Sequence, residues 1–189
     1  MLNMKQSEHK KHLPQDSRPV KFVLLITSDS RTEKTDRTGK LIIDCLGKTG
    51  HQCVLHRIIK NNTTLIRASV RKVIQSEAQL IITSGGTGCG EKDVTIEALA
   101  PLIAKKLDGF GELFRFLSYK EIGSSAIMSR ALLGITENNK IICALPGSPR
   151  AVYLALKKLL IPELQHIIWE LSKRIKQIKQ IKRITKSTP

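Results

Sequence analysis

The segment Thr83-Ser84-Gly85-Gly86-Thr87-Gly88-Cys89-Gly90 puts four glycines and three hydroxyls into eight residues. Glycines let a backbone approach an oxyanion closely and leave N–H groups free to bind it, and Ser84 and Thr87 add hydroxyls. A helix beginning just after the loop would aim its positive end at the same space. That is the chemistry of a phosphate cradle. No Gly-Lys-Ser/Thr closes the loop, so it is not a Walker A loop, and its spacing is not the G-x-G-x-x-G dinucleotide fingerprint. A tight strand-to-helix connection would use the same residues.

Further segments carry similar chemistry. Asp93 stands where the following helix should begin. It is either an N-cap, with Ile96-Glu97 in a capping arrangement, or a carboxylate able to hold Mg²⁺ beside a phosphate. Both roles are compatible. Thr27-Ser28-Asp29-Ser30-Arg31 follows one apolar run, and Pro146-Gly147-Ser148-Pro149 follows another. The second combines a rigid turn with a hydroxyl at a helix start, Pro149 being well placed as a first helical residue. Glu112, in Gly109-Phe110-Gly111-Glu112, is a solvated acid or a ligand contact. Ser129-Arg130 offers a hydroxyl and a guanidinium to an anion, or belongs to a capped surface helix.

The elements that would position these residues alternate. Phe22-Val23-Leu24-Leu25-Ile26 is a continuous apolar run, the pattern of a strand buried on both faces. A helix capped by Thr35 or Asp36 runs to about Lys48, and Gly50 ends it. Gln52 to Ile59 reads as a second strand, Thr63 to Glu77 as a helix and Leu80 to Thr83 as a third strand. Val94 to about Ala104 reads as a helix after the glycine-rich turn. Residues 105–133, punctuated by Gly109, Gly111 and Gly123, read as short helical pieces. Ile135 and Lys140 to Leu145 flank a turn at Glu137-Asn138-Asn139, and Pro149 to Leu160 resumes as helix, with Pro162 able to open another. Such alternation predicts an α/β three-layer sandwich, with a mostly parallel sheet and helices on both faces. Ligands of such sheets bind beyond the carboxyl ends of the strands, where the three polar loops would converge.

A chain of 189 residues fits one domain with a sizeable core. The expected organisation is a disordered leader at 1–19, a domain at 20–172 and a basic extension at 173–189. No apolar run is long enough to span a bilayer and the amino end lacks a signal-peptide pattern, so a cytoplasmic protein without a transmembrane segment is expected. Cys45, Cys53, Cys89 and Cys143 lack paired spacing, which disfavours a zinc site or a disulfide framework and predicts free, mostly buried thiols. Cys89, in the glycine-rich loop, is the one expected to be exposed. The net charge is +16, but residues 1–21 and 173–189 hold most of the excess. Without them 20 basic residues face 14 acidic ones. Basic tails raise affinity for polyanions without specifying any, and aromatic residues are too few for base stacking, so no specific nucleic-acid partner is expected. Ile175, Ile178, Ile181 and Ile184 recur every third residue, a stripe that drifts around an α-helix. It reads as a solvated continuation of the last helix or as a weak anchor to an anionic surface.

Taken in order, Thr83 to Gly88, Asp93-Val94-Thr95-x-Glu97-Ala98, Gly109 to Glu112, Ser129-Arg130-Ala131 and Pro146 to Pro149 resemble the MoaB/MogA family. Ser28 to Thr32 and Asp36-Arg37-Thr38-Gly39 look like the family's first loop. The stretch Phe114 to Gly123 is closer to the MoaB branch. The resemblance covers about residues 20–172. It implies molybdopterin as ligand, Mg²⁺ with ATP as co-substrate, and transfer of AMP to the terminal phosphate of molybdopterin. It further implies a homotrimer or trimer-based hexamer working beside other molybdenum-cofactor enzymes. Carried over residue by residue, it makes Asp93 the catalytic and metal-holding carboxylate. Ser28, Asp29, Ser84, Gly85, Gly86, Thr87, Gly88, Glu112, Pro146, Gly147 and Ser148 become ligand contacts. One segment departs from the pattern: active relatives carry an acid within the stretch aligned with Lys60-Asn61-Asn62, and both candidates here are amides. An amide neither neutralises Mg²⁺ nor serves as a base. A molybdopterin- and nucleotide-binding module with little or no turnover is therefore the alternative expectation. A molybdopterin-binding domain of the competence-damage type is the third.

Overall fold

The computed structural model describes residues 18–184, with side chains through Lys173. The expected leader therefore lies almost wholly outside the described residues, and so do the side chains of the isoleucine stripe. The chain divides into two compact units, one of which holds residues 19–161.

That unit is built on a six-stranded sheet. β1 (Lys21–Thr27) leads through α1 (Arg37–Gly47) to β2 (Gln52–Ile59), and α2 (Thr63–Ile74) leads to β3 (Leu80–Ser84). After the glycine-rich loop come α3 (Thr95–Leu99), a 3-10 turn (Ala100–Leu102), the short β4 (Lys105–Lys106) and α4 (Asp108–Ile122). A second 3-10 turn (Gly123–Met128) precedes β5 (Leu132–Ile135), which turns back into β6 (Ile141–Leu145) and α5 (Pro149–Ala155). A π-helical stretch, Leu156–Leu160, follows.

The strand order is β2-β1-β3-β6-β5-β4. β1, β2, β3 and β6 are mutually parallel, and β5 runs against both of its neighbours. β1, β3 and β6 are buried almost throughout, as their unbroken apolar runs require. On one face Val23, Leu25, Ile81, Ile142 and Ala144 pack with Ile66 and Val70 of α2 and Ala98 and Leu99 of α3. Alternation sends Phe22, Leu24, Ile26 and Ile82 to the opposite face, also fully buried, beneath the layer in which α5 packs against α1 and α4. The three-layer α/β arrangement with a mostly parallel sheet is as expected.

Three elements differ from the sequence expectation. The helix after the glycine-rich loop is only five residues of α, because Pro101 cannot donate in a helix interior and turns the chain into the 3-10 segment. α2 stops at Ile74, short of Glu77. In place of short pieces, residues 108–122 form a single helix, α4. Its first turn has glycines and no side-chain cap, yet Phe110, Gly111, Phe114 and Ser118 form a buried stripe at helical spacing. Leu113, Phe116, Tyr119 and Ile122 leave its other side apolar and exposed, which hides the amphipathic period.

The second unit is described by α6 (Ile161–Ile184) and Arg18, whose carbonyl accepts from Gln165 Nε2 at 3.0 Å. Pro162 sits in the first turn of α6, as expected. Within α6 the Lys173 ammonium lies 3.2 Å from the centroid of the Trp169 ring. No helix among the described residues is long and apolar enough to cross a membrane.

Candidate functional site

β1, β2, β3 and β6 all point their carboxyl ends at one edge of the sheet. β5, being reversed, delivers Arg130 and Ala131 to the same edge, since Leu132 pairs with Ala144 near the end of β6. The chain leaves β1 for β2 on one side and returns to β3 on the other, so the crevice between the β1 and β3 loops is a topological switch point.

Three loops meet there. Gly85 N donates to Leu145 O at 3.0 Å, and Ser84 Oγ donates to Pro146 O at 2.8 Å, tying the glycine-rich loop to the Pro146–Ser148 turn. Thr27 Oγ1 donates to Ser84 O at 3.2 Å from the other side. A side chain on Gly85 would run into the Thr27 carbonyl, so this approach requires glycine. Ser28 Oγ caps its own turn by accepting from Ser30 N and Arg31 N. Asp29 Oδ1 accepts from Asn61 N at 3.1 Å, joining the loops after β1 and β2. Ser148 is the N-cap of α5, accepting from Ala151 N, with Pro149 in the first turn as expected.

The glycine-rich loop has a polarised backbone. Gly85 O accepts from Thr95 Oγ1 at 2.8 Å and Gly86 O from Thr95 N at 2.9 Å. Thr87 O accepts from Arg130 Nε at 2.8 Å and Gly88 O from Arg130 Nη2 at 2.7 Å. The N–H groups of Gly86, Thr87, Gly88 and Cys89 have no acceptor among the described residues. A run of occupied carbonyls with free amides is a surface for an anion.

Two expectations about this region are corrected. Asp93 is not the N-cap of α3. Val94 holds that position without a side-chain bond, and Asp93 Oδ2 accepts from Gly90 N at 3.1 Å, inside the loop. Its Oδ1 has no hydrogen-bond partner among the described residues. Glu97 likewise does not form a capping box. It pairs with Arg130, and the guanidinium beside it holds its carboxyl below the usual carboxylate range. Arg130 in turn offers its donors to loop carbonyls and to Glu97, not to the cradle.

Sequence reasoning missed Arg31 as a brace. Its Nη2 donates to Gly147 O at 3.0 Å and its Nη1 to Thr38 Oγ1 at 2.9 Å, while Thr38 Oγ1 also donates to Gly147 O. Behind it Asp36, fully buried, caps α1 through Gly39 N and bonds His56 Nε2 at 2.9 Å. The partners lie up to 116 positions apart in the chain, so no local spacing announces them.

The two asparagines also separate. Asn62 is the N-cap of α2, accepting from Leu65 N at 3.0 Å. Asn61 faces the cradle: its Oδ1 is buried without a hydrogen-bond partner and lies 2.5 Å from where a Gly86 Cβ would sit.

Two recesses lie toward opposite ends of the strand order. A cavity of about 390 Å³ at the β1–β2 side is lined by Ser28, Asp29, Arg31, Arg57 and Lys60 among others. A smaller one of about 120 Å³ at the β4–β5 side is lined by Lys106, Asp108, Glu112, Arg115 and Ala131 among others. Glu112 therefore borders the second recess and is not part of the three-loop cluster. Cys89 is exposed as expected, Cys45 and Cys143 are buried and Cys53 is half-buried, all as free thiols. Burial pushes the Cys143 thiol far above its ordinary range. Among the described residues no three His, Cys, Asp or Glu side chains cluster as metal ligands would.

Residues 23–166 match the family model described as a probable molybdopterin binding domain. Molybdenum cofactor biosynthesis protein B of Bacillus subtilis is 42% identical over 172 residues, covering 90% of this chain and 99% of that protein. A crystal structure of a molybdenum cofactor biosynthesis protein B superposes with a TM-score of 0.81 at 42% identity, covering 84% of this chain and 99% of that one. The tungsten cofactor synthesizing protein MoaB of Pyrococcus furiosus superposes with a TM-score of 0.75 at 32% identity, over 82% of this chain and 99% of that one. With both its sequence and its fold matching, the chain belongs to the MoaB/MogA family of molybdenum cofactor biosynthesis proteins.

Proposed function

We propose that this chain binds molybdopterin and Mg-ATP at the carboxyl edge of its sheet and transfers AMP to the terminal phosphate of molybdopterin. The observation that carries the reading is the run of four free amides, Gly86 to Cys89, with a recess toward each end of the strand order. Two ligands meeting at a phosphate need an anion cradle with a berth on each side. A phosphate oxygen of molybdopterin attacks the α-phosphorus of ATP, a new P–O bond forms, and the bond to pyrophosphate breaks. A phosphate monoester dianion is already a nucleophile, so the protein's work is positioning and charge stabilisation.

The residues fit a magnesium ion that arrives on nucleotide phosphates, because such an ion asks the protein for only one or two carboxylates. Asp93, with Oδ1 unengaged beside the loop, would hold it, and the ion would neutralise charge on the phosphates. The free amides orient the phosphates and Ser84 stays braced against Pro146. The test is incubation with α-labelled ATP and molybdopterin. Label appearing in adenylylated molybdopterin with release of pyrophosphate is the expected result, and its absence with both ligands bound refutes transfer.

One observation favours a second reading, a binding module that holds molybdopterin without turnover. Asn61 presents an uncharged amide to the cradle, with its oxygen buried and unpaired. Under that reading Asn61→Asp raises adenylyl transfer by about tenfold or more, about 1.4 kcal/mol of barrier, and steepens its dependence on Mg²⁺. If the native chain already turns over briskly and Asn61→Asp adds nothing, the binding-module reading is dropped. Asn62→Asp, at the α2 cap, leaves activity unchanged either way.

The same proposal includes cytoplasmic location and assembly as a trimer or trimer-based hexamer. Supporting assembly, Leu113, Phe116, Tyr119 and Ile122 on α4 and Ile127 and Met128 after it are 45–78% exposed. Large exposed apolar patches on a soluble protein mark interaction surfaces. Phe116→Glu is expected to sediment as a smaller species than the native chain, and an unchanged mass would remove α4 from the interface.

A further inference from the structure

The free amides of the cradle are aimed from behind, by identifiable residues. In a trans peptide the C=O of one residue and the N–H of the next point in opposite directions. Fixing a carbonyl on one side of the loop therefore fixes the following N–H toward the other. Gly85 O and Gly86 O are held by Thr95, through its Oγ1 and its N–H, which aims the amides of Gly86 and Thr87. Thr87 O and Gly88 O are held by Arg130, which aims the amides of Gly88 and Cys89. The four carbonyls held are those that precede the four free amides.

The Arg130 guanidinium is itself fixed. Its Nη2 also donates to Asp93 O at 3.2 Å, and Nη1 and Nη2 both reach the Glu97 carboxylate, on the first turn of α3. Arg67 Nε holds Ala98 O at 3.2 Å, so α3 is tied to α2 while it anchors the arginine. Planar, forked donors satisfy such a set of acceptors in a way that a lysine ammonium does not.

We infer that Arg130 is a positioning residue of this site: it aims the Gly88 and Cys89 amides at a phosphate group without touching it, while Thr95 aims those of Gly86 and Thr87. The inference rests on the cradle reading above and assigns each half of the cradle to a residue. It also explains why a conspicuous arginine at an anion site points away from the anion.

The experiment is an amide-resolved NMR titration of the full chain with inorganic phosphate. In the native protein the amides of Gly86, Thr87, Gly88 and Cys89 are expected to shift together. In Arg130→Met the responses of Gly88 and Cys89 are lost, those of Gly86 and Thr87 persist, and phosphate affinity falls fivefold or more. Arg130→Lys, which keeps the charge but not the fork, restores no more than one of the two lost responses, and it serves as the folded comparison should Arg130→Met unfold. Thr95→Val frees Gly85 O alone and loses the Gly86 response. A merely structural role for Arg130 would lower the melting temperature of its variants and leave all four responses in place, which overturns the inference while sparing the cradle. Four silent amides in the native protein would instead overturn both.

Discussion

Asp93→Asn lowers adenylyl transfer roughly 100-fold or more, about 2.7 kcal/mol of barrier, and leaves the fold in place. The Asp93 carboxylate does one visible structural job, accepting from Gly90 N at 3.1 Å. An asparagine oxygen can accept the same bond, so the stability cost is that of a neutral for a charged acceptor, about 1 kcal/mol. A domain with roughly 5–15 kcal/mol of stability tolerates that. The second oxygen is unengaged and the side chain is half-buried beside the free amides. At that second position the variant carries an NH₂ donor, so it loses both the charge and the lone pairs that a phosphate-borne magnesium ion requires. Melting temperature and labelled transfer, measured on the same preparations, decide the matter. Undiminished transfer would reduce Asp93 to a fastener of the 88–93 loop.

Structure is most legible in this sequence where one physical rule acts alone. The run Phe22 to Ile26 is apolar without alternation because β1 is covered on both faces, and β2 spans the Gln52 to Ile59 that its sequence predicts. The three polar loops meet because strand ends in a parallel sheet share an edge, and the bonds Ser84–Pro146, Thr27–Ser84 and Arg31–Gly147 join all three. Sequence is a poorer guide where two rules compete. α4 carries glycines in its first turn and apolar residues around its whole circumference, so neither propensity nor periodicity identified it. Asp93 had the type and place of an N-cap, but a contact within the loop claimed it one residue early. Arg31 and Arg130 stand in motifs visible in the sequence, but what they hold is not. Their partners in the loops are backbone carbonyls, which every residue possesses, at separations of 116 and 43 positions. Asn61 and Asn62 are alike in composition and differ only in that one caps α2 and the other turns inward.

Gly86→Val abolishes binding of phosphate-bearing ligands while leaving the core and the assembly intact. The backbone at Gly86 has φ +60°, a left-handed conformation that a β-branched residue enters only at a cost of roughly 1–3 kcal/mol. Space is the harder limit. A Cβ there would meet Asn61 Oδ1 at 2.5 Å and Thr95 Oγ1 at 2.6 Å. Thr95 cannot yield cheaply, because its hydroxyl is bonded to Gly85 O and Thr27 Oγ1 and its amide to Gly86 O. The loop must move instead, and moving it breaks the alignment of carbonyls that leaves four amides free. Gly86→Ala carries the same Cβ and should weaken binding at least tenfold, about 1.4 kcal/mol. Gly47→Ala, at the end of α1 where a Cβ meets open space, is the matched control and should bind normally. Calorimetry with molybdopterin and with ATP reads the affinities, and sedimentation reads the assembly. Normal affinity for both ligands in Gly86→Val would show that neither phosphate rests on this loop.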